Sequence, residues 1–302
     1  MGLEIKSKVS GRYKIEAIKL DKDGNEVSRR LAADWFDNLI TTPGLNYMGN
    51  SDGWMTYCQV GTSSAAPAFT DTSLGAFLAY TSTLTANTSG ISGATPYYTW
   101  AAKTFRFAEG VAAGNLSEVG VGWTTNAGVY SRALILDGVG APTTITILSD
   151  ETLDVTYEFR FYPQLTDDTG TIVFTGNIGG SYDFIFRAAM VGAVGGYWGM
   201  PPIGMGYTGA YYVKDGDIAA VTSQPSGNSS TLTVAAQSYV DASLERKFNA
   251  SLSLTQGNLA GGIRCFSSIL GLGFFQLQFD PAIPKTSNDL VTFVIKHSWG
   301  RV

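Results

Sequence analysis

The sequence predicts an all-β protein, built as two tandem β-sandwich-like domains with one short helix in the first. Three observations predict this class: many short segments of alternating polar and apolar residues, turn-forming residues between them, and little charge. Charged residues make up 15% of the 302-residue chain, below the roughly 25% typical of soluble domains. Gly is abundant, at 36 residues. A freely diffusing monomer uses more surface charge to stay soluble, so this composition favours a component of an assembly.

The first element is a strand that alternates at Tyr13, Ile15 and Ala17 and ends at an Asp-Gly pair, Asp23-Gly24. Because a tight hairpin needs positive φ angles at its centre, Asp-Gly is a strong hairpin signal. The sequence therefore predicts a β-hairpin that turns between residues 21 and 25.

The segment from Ser28 to Ile40 predicts the one short helix. Leu31, Trp35 and Leu39 recur at helical spacing and would share a face. The run Thr41–Gly44 contains Pro and Gly, and we expect it to end the helix.

Six further segments of the first half are predicted as strands because they are short, alternating and bounded by turn residues. They lie near residues 55–61, 98–107, 117–124, 130–137, 143–148 and 152–162. Turn formers and two adjacent acids at 163–170 predict the domain boundary, which gives domains at 1–163 and 170–302. The second domain resembles a degenerate copy of the first: Gly11–Ile15 is echoed by Gly180–Phe184, and Gly114–Leu116 by Gly257–Leu259.

No motif in the chain predicts catalysis. Gly49–Gly53 fits the Gly-x-Ser-x-Gly nucleophile elbow, but a strand is predicted where that motif needs a helix, and His297 is the only histidine. No pair of carboxylates is arranged for glycoside cleavage. We expect no enzymatic activity.

Cofactor and metal sites are likewise not expected. Gly204–Gly209 matches Gly-x-Gly-x-x-Gly, yet no helix is predicted after it to meet a pyrophosphate. Asp21, Asp23 and Asn25 imitate the start of a calcium loop, but Glu26 stands where that loop needs Gly. These segments are interpreted as turns.

The segment Ala188–Val213 carries no charge and is long enough to cross a bilayer. Its seven glycines and Pro201-Pro202 argue against a spanning helix. We expect a buried strand near 184–191 and then a loop packed on protein, with Trp198 and Tyr207 most buried; a host-receptor contact is the alternative. The candidate contact residues are Tyr197, Trp198, Tyr207, Tyr211 and Tyr212.

Several segments together resemble virion proteins of tailed bacteriophages, particularly tail, baseplate and fibre components. They are Gly61–Leu74, Phe105–Gly110, Gly114–Trp123, Ser131–Asp137, Pro142–Thr146 and Leu153–Glu158. The resemblance implies a non-enzymatic structural protein of the tail, baseplate or fibre-attachment region, which assembles through contacts between subunits. A receptor-binding tail tip and a head decoration or head fibre protein remain alternatives.

The expected partners are further copies of the chain, other tail proteins and, for a tip protein, a host receptor. The resemblance implies a trimer in a virion that assembles in the bacterial cytoplasm. Two cysteines, Cys58 and Cys265, suit a reducing compartment, and the first residues lack the apolar region of a signal peptide. A net charge of −5 argues against stable nucleic-acid binding.

Overall fold

In a computed structural model, which describes residues 2–193, 198 and 204–302, the protein is all-β with one short helix. Its sheets form sandwich-like arrangements, as predicted. The elements of the first half are β1 Leu3–Leu20, β2 Glu26–Asp37, β3 Leu39–Ile40, α1 Thr42–Asn50, β4 Tyr57–Gly61, β5 Phe77–Thr81, β6 Leu84–Ile91, β7 Thr99–Phe107, β8 Gly114–Leu116, β9 Glu118–Gly122, β10 Val129–Leu134, β11 Ile145–Ile147 and β12 Thr152–Pro163.

The elements that follow are strands too. They are β13 Asp168–Val173, β14 Ser181–Ala188, β15 Thr208–Lys214, β16 Ser229–Thr231, β17 Thr233–Ala236, β18 Glu245–Leu252, β19 Ile263–Leu270, β20 Gly273–Ile283 and β21 Val291–Arg301. The sheets run in the orders β17-β18-β21-β1-β12-β7-β6 with β2 beside β1, β3-β10-β9-β4-β5, β11-β8, and β13-β14-β20-β19-β15-β16.

The chain divides into two compact units. One comprises residues 1–8, 90–99 and 161–300, and the other comprises residues 9–89, 100–160 and 301–302. They are called the C-unit and the N-unit below. The division at residue 161 lies close to the predicted boundary at 163–170, while residues 1–8 and 90–99 belong to the C-unit.

The core of the N-unit is rich in aromatic side chains. The ring of Trp54 lies 4.3 Å from that of Tyr130 and 4.7 Å from that of Phe159, measured between ring centroids. Tyr13 and Tyr157 are also buried, with centroids 4.8 Å apart. Burying each such ring contributes about 1.5–3 kcal/mol, so these inward-facing rings, four from strands and Trp54 from the turn before β4, hold the unit together.

The predicted hairpin is confirmed. β1 and β2 pair antiparallel, and the turn spans Asp21 to Asn25. One carboxylate oxygen of Asp21 accepts the backbone N–H groups of Asp23 and Asn25 at 2.9 and 2.8 Å. Gly24 has a φ of +83°, a conformation that Gly adopts without steric cost.

The helix predicted at Ser28–Ile40 is wrong, because that segment is strand β2 followed by β3. Leu31 and Trp35 are 53% and 37% exposed, so their helical spacing does not mark a buried face. The Arg12 guanidinium lies 4.2 Å from the centre of the Trp35 ring. Pairing with β1 across the hairpin overrides the local period.

The helix begins where the sequence predicted a stop. Thr41 is its N-cap and its hydroxyl accepts the Gly44 N–H at 2.9 Å. Pro43 stands in the first turn, where a missing N–H costs nothing because that group has no partner within the helix. The same Pro was therefore a start signal.

Candidate functional site

Glu118 lies at the centre of the segments that carry the phage resemblance. Its side chain is fully buried at the start of β9, where Glu118 stands opposite Gly61 of β4 and Leu134 of β10. One carboxylate oxygen accepts the N–H groups of Ser63 and Ala76 at 3.2 and 2.7 Å. The carboxylate thus fastens both ends of the loop between β4 and β5.

Arg132 of β10 completes this arrangement. Its Nε donates to Glu118 Oε2 at 2.8 Å, and that oxygen also accepts the Gly75 N–H at 3.0 Å. The other guanidinium nitrogens donate to Asp71 Oδ2 at 2.6 Å and to the Ala65 carbonyl at 2.9 Å. Glu118, Arg132, Asp71 and the loop 62–76 are called the loop clamp below.

At two backbone positions of the clamp, glycine fits and a residue with a Cβ atom does not. A Cβ on Gly61 would lie 2.5 Å from the Ala76 carbonyl oxygen and 2.6 Å from Glu118 Oε1. A Cβ on Gly75 would lie 2.6 Å from the Ser63 hydroxyl. Gly61, which belongs to the resembling segments, and Gly75, which directly follows Leu74, are therefore required by close packing of the loop.

The tip of the clamped loop carries an exposed ring. Phe69 is 54% exposed, and the Arg301 guanidinium lies 4.3 Å from its ring centre. Arg301 also donates to the Ile40 carbonyl and to the Thr42 hydroxyl, at 2.5 and 2.9 Å. The Phe69 carbonyl accepts the Thr42 N–H at 2.7 Å. Arg301 and the helix start are thus joined to the loop tip.

The loop clamp holds structure and offers no reactive group. Both oxygens of Glu118 accept two hydrogen bonds each, and the Asp71 oxygen that receives Arg132 also accepts the Ala68 N–H at 2.8 Å. Carboxylates satisfied in this way are poor candidates for a proton acceptor or a metal ligand. Within the described ranges, no group of three or more His, Cys, Asp and Glu side chains could hold a metal ion.

The candidate contact residues of the sequence lie in different environments in the C-unit. Tyr197 lies outside the described residues. Trp198 is buried, its Nε1 donates to the Ala189 carbonyl at 2.9 Å, and its ring packs 6.0 Å from that of Phe275. Trp198 is therefore a core residue of the C-unit.

Tyr207 was expected to be among the most buried residues of its segment, and in the single chain it is 38% exposed. Its neighbours on β15 differ from each other: Tyr212 is 39% exposed, while Tyr211 is partly buried and its hydroxyl donates to the Thr208 carbonyl at 3.3 Å. The strand before this segment, β14, ends at Ala188 rather than at 191. Among the described residues of this segment, the exposed rings are thus Tyr207 and Tyr212.

His297 is a buried structural residue of the C-unit. Its Nδ1 lies 3.1 Å from the Leu270 carbonyl oxygen and its Nε2 lies 2.9 Å from the Ser7 hydroxyl. Because a carbonyl only accepts, Nδ1 carries the proton and Nε2 accepts from Ser7. Burial lowers the pKa of His297 to about 3.

In the N-unit, Ser51 follows helix α1 and accepts the Gly53 N–H at 3.3 Å. A nucleophile elbow needs the opposite order, with a strand before the serine and a helix after it.

An open depression of about 490 Å³ lies beside the β1–β2 turn of the N-unit. Arg106 on its wall is paired with Asp154 by two bonds of 2.7 and 2.6 Å, and Asp21 is held by its own turn. Tyr80 also lines the depression, and this aromatic side chain is 46% exposed. The depression therefore offers a ring, hydroxyls and the charged side chains of Lys22 and Glu109, with the Arg106 charge already neutralised.

No family model, curated protein or solved structure matches this chain. Over the described ranges, no helix is both long enough and apolar enough to span a membrane.

Sequence reasoning missed the roles of Glu118 and Arg132, although both stand in segments quoted for the resemblance. A signal was present: each is a lone charge in a short strand otherwise made of small and apolar residues, and such charges are buried only in pairs.

Sequence reasoning also missed a second segment without charge, residues 72–102, which is longer than Ala188–Val213. This segment contains β5 and β6.

Proposed function

We propose that this chain is a non-enzymatic structural subunit of a tailed-bacteriophage virion, placed in the tail, baseplate or fibre-attachment region. It acts through contacts between subunits, in a particle that assembles in the host cytoplasm. The observation that carries the proposal is the loop clamp. Four of its members, Ser63, Asp71, Glu118 and Arg132, come from the segments on which the resemblance rests, and all four hold the backbone in place.

A structural role for these residues fits an assembly protein better than an enzyme. Residues that resemble a family because of catalysis would present free polar atoms in a cleft, whereas the carboxylate oxygens of Glu118 are engaged by the loop and by Arg132. The low charge content favours surfaces that other subunits cover in the assembled particle. So do the exposed apolar side chains Phe69, Phe77 and Tyr80. Further copies of the chain, for which the resemblance implies a trimer, and other tail proteins are the proposed partners.

The second candidate function is host attachment by a tail tip or fibre module. Tyr207 and Tyr212 favour it, because both rings are more than a third exposed in a segment without charge. Aromatic rings with a hydroxyl suit contacts with sugars and proteins. The head decoration or head fibre position is the third candidate, and no separate feature of the chain favours it.

Mass spectrometry of purified particles of the phage that encodes the chain tests the proposal. We expect the chain in the particle at a fixed copy number, with defective or missing tails when its gene is deleted. Intact particles that contain the chain but do not adsorb after Tyr207→Ser and Tyr212→Ser would favour host attachment. Particles that lack the chain would contradict every virion position.

A further inference from the structure

The C-unit carries an open depression of about 420 Å³ where the start of β1 lies beside the end of β12. Its lining includes Lys6 and Lys8 from β1, Tyr162 and Pro163 from β12, and Gln164 and Thr166 from the segment that follows. Sites for small ligands have volumes of roughly 300–1,000 Å³. The depression is therefore large enough to hold a small polar molecule.

The backbone around this depression is held in place by hydrogen bonds. The Gln164 N–H donates to the Lys6 carbonyl at 3.0 Å, and the Gln164 side-chain amide donates to the Thr166 carbonyl at 3.0 Å. Ser7, between the two lysines, donates its hydroxyl to His297 Nε2 at 2.9 Å. Because side chains alternate along a strand, Lys6 and Lys8 share the opposite face, where both are exposed.

Both lysines of the depression lack a partner within the chain. Every lysine of the sequence lies in the described ranges, and most of them form an ion pair or donate to a neutral oxygen. Lys6, Lys8 and Lys22 do neither in the part of the chain that the structure describes. An ammonium group offers three hydrogen-bond donors, so Lys6 and Lys8 present uncompensated positive charge to a molecule that enters.

The acids near Lys6 stand outside the lining. Glu4 and Asp168 interact with the Lys6 charge without forming an ion pair with it. Glu4 is engaged by Lys296 at 3.0 Å and by the Ser298 hydroxyl at 2.9 Å. Among the described residues that line the depression there is no carboxylate. The charges that face a bound molecule are therefore both positive.

The depression beside the β1–β2 turn of the N-unit differs in this respect. There the unpaired Lys22 shares the lining with Glu109, so charges of both signs are present. Two positive charges without an acid attract an anion, whereas a lining of both signs selects neither. The charge of the C-unit depression thus favours an anionic ligand.

The rest of the lining suits a ligand that also carries hydroxyl groups. Gln164 uses its amide N–H on the Thr166 carbonyl, and its amide oxygen is an acceptor that a simple inorganic anion without a proton does not use. Thr166 is exposed and offers a hydroxyl. The half-buried ring of Tyr162, 5.4 Å from that of Tyr98, supplies an amphipathic surface of the kind that contacts sugars.

We propose that this depression binds an acidic saccharide, a sugar that carries a carboxylate or a phosphate. Lys6 and Lys8 hold the anionic group, the Gln164 amide oxygen accepts from a hydroxyl, and the Tyr162 ring packs against the sugar. The inference goes beyond the proposed function, because a saccharide site is compatible with each of the virion positions.

Isothermal titration calorimetry of the full chain at low salt tests the site with glucuronate, glucose 6-phosphate and glucose. We expect at least one acidic sugar to bind, the tighter one identifying the anionic group, and glucose to bind about tenfold more weakly or not at all. Lys6→Gln combined with Lys8→Gln should raise the dissociation constant of the acidic sugar by about tenfold or more, since both charged donors are lost. Lys22→Gln is the matched control, because it removes an unpaired lysine from the other depression, and it should leave binding unchanged.

Circular dichroism verifies that each variant is folded, and Lys8→Gln alone replaces the double variant if the latter does not fold. A folded variant that binds the acidic sugar as tightly as wild type overturns the inference. So does a wild type that binds neither acidic sugar, or that binds glucose equally well.

Two further probes test the saccharide itself. Acetate or inorganic phosphate that binds as tightly as the corresponding sugar would show that the ring contributes nothing, and would overturn the inference. Tetraglutamate that binds where both acidic sugars fail would replace the saccharide with an acidic peptide. The particle test of the proposed function is independent of all these outcomes, since it depends on the composition of virions.

Discussion

Arg132 and Glu118 form an ion pair in the interior of the N-unit, with 2.8 Å between Nε and Oε2 and side chains that are 4% and 0% exposed. A pair this deeply buried is costly to break: removal of Arg132 leaves the Glu118 carboxylate buried without a counter-charge, and removal of Glu118 leaves Asp71 as the remaining acidic partner of Arg132. Here the same two side chains also hold the loop 62–76 through its backbone. The pair thus links the geometry of that loop to the stability of the unit.

Glu118→Ala should destabilise the N-unit by about 3–5 kcal/mol, since it removes one of the two carboxylates that pair with the buried Arg132 and leaves the N–H groups of Ser63, Gly75 and Ala76 without their acceptor. Urea denaturation followed by circular dichroism measures the change. The control is Glu26→Ala, which breaks the exposed pair with Arg29 at 2.7 Å and should leave the midpoint unchanged within error. Equal midpoints for the two variants would show that the clamp does not contribute to stability.

Gly61→Ala should also destabilise the N-unit, because the new methyl group would meet the Ala76 carbonyl oxygen and Glu118 at under 3 Å. Overpacking of this kind costs about 1–3 kcal/mol. Gly138→Ala is the control, as no heavy atom lies within 4 Å of a Cβ built there. Thermal melts of both variants compare them, and a melting temperature of Gly61→Ala at or above that of wild type would contradict the packing argument.

Thr41→Ala should cost about 1–2 kcal/mol, the usual effect of losing a helix N-cap. The variant loses the hydroxyl that accepts the Gly44 N–H and donates to the Val129 carbonyl at 2.7 Å. Thr41→Ser keeps that hydroxyl and should retain most of the stability. If both variants lose the same amount in urea denaturation, the effect belongs to the Thr methyl group rather than to the cap.

His297 should remain neutral well below the usual pKa of histidine, since burial lowers its pKa to about 3 from 6.5. The chain has one histidine, so the ring C–H signals in proton NMR report it without ambiguity. We expect no titration between pH 8 and about 4.5. The unfolded chain binds a proton that the folded chain excludes, so this group's contribution is present above pH 6.5 and declines as pH falls toward 3. A titration midpoint near 6.5 in the folded protein would contradict the buried position.

Trp198→Ala and Tyr207→Ala should differ in their effect on the C-unit. Trp198 is buried and bonded to the Ala189 carbonyl, and truncating such a side chain costs about 3–5 kcal/mol. Tyr207 is 38% exposed, so its loss should leave the urea midpoint of the isolated chain nearly unchanged. A large loss of stability for Tyr207→Ala would show that the ring packs against its own chain, one of the two packed positions that the sequence predicts.

Local signals predicted the parts of the fold that are determined locally. The turn at Asp21–Asn25 was predicted because its carboxylate and its Gly act on neighbouring residues. The helix was misplaced because the spacing of Leu31 and Trp35 imitates a helical face, whereas pairing with β1 across the hairpin decides that segment. The local signal of Pro43 was also ambiguous, because Pro is common both just after the end of a helix and in the first turn of a helix.

The loop clamp could not be assembled from the sequence, because its parts stand at positions 63, 71, 118 and 132 and meet only through strand register. Lone charges in apolar strands mark such residues as buried but do not identify their partners. The uncharged segment 72–102 was visible in the sequence, and only the sheet order shows that β5 is an edge. Domain duplication and the position in a virion remain predictions.

Cryo-electron microscopy of particles from the phage that encodes the chain tests the central claim most directly. The account predicts density for the chain in the tail, baseplate or fibre-attachment region, in symmetric copies, with the loop clamp intact. Particles without this density would contradict the virion assignment.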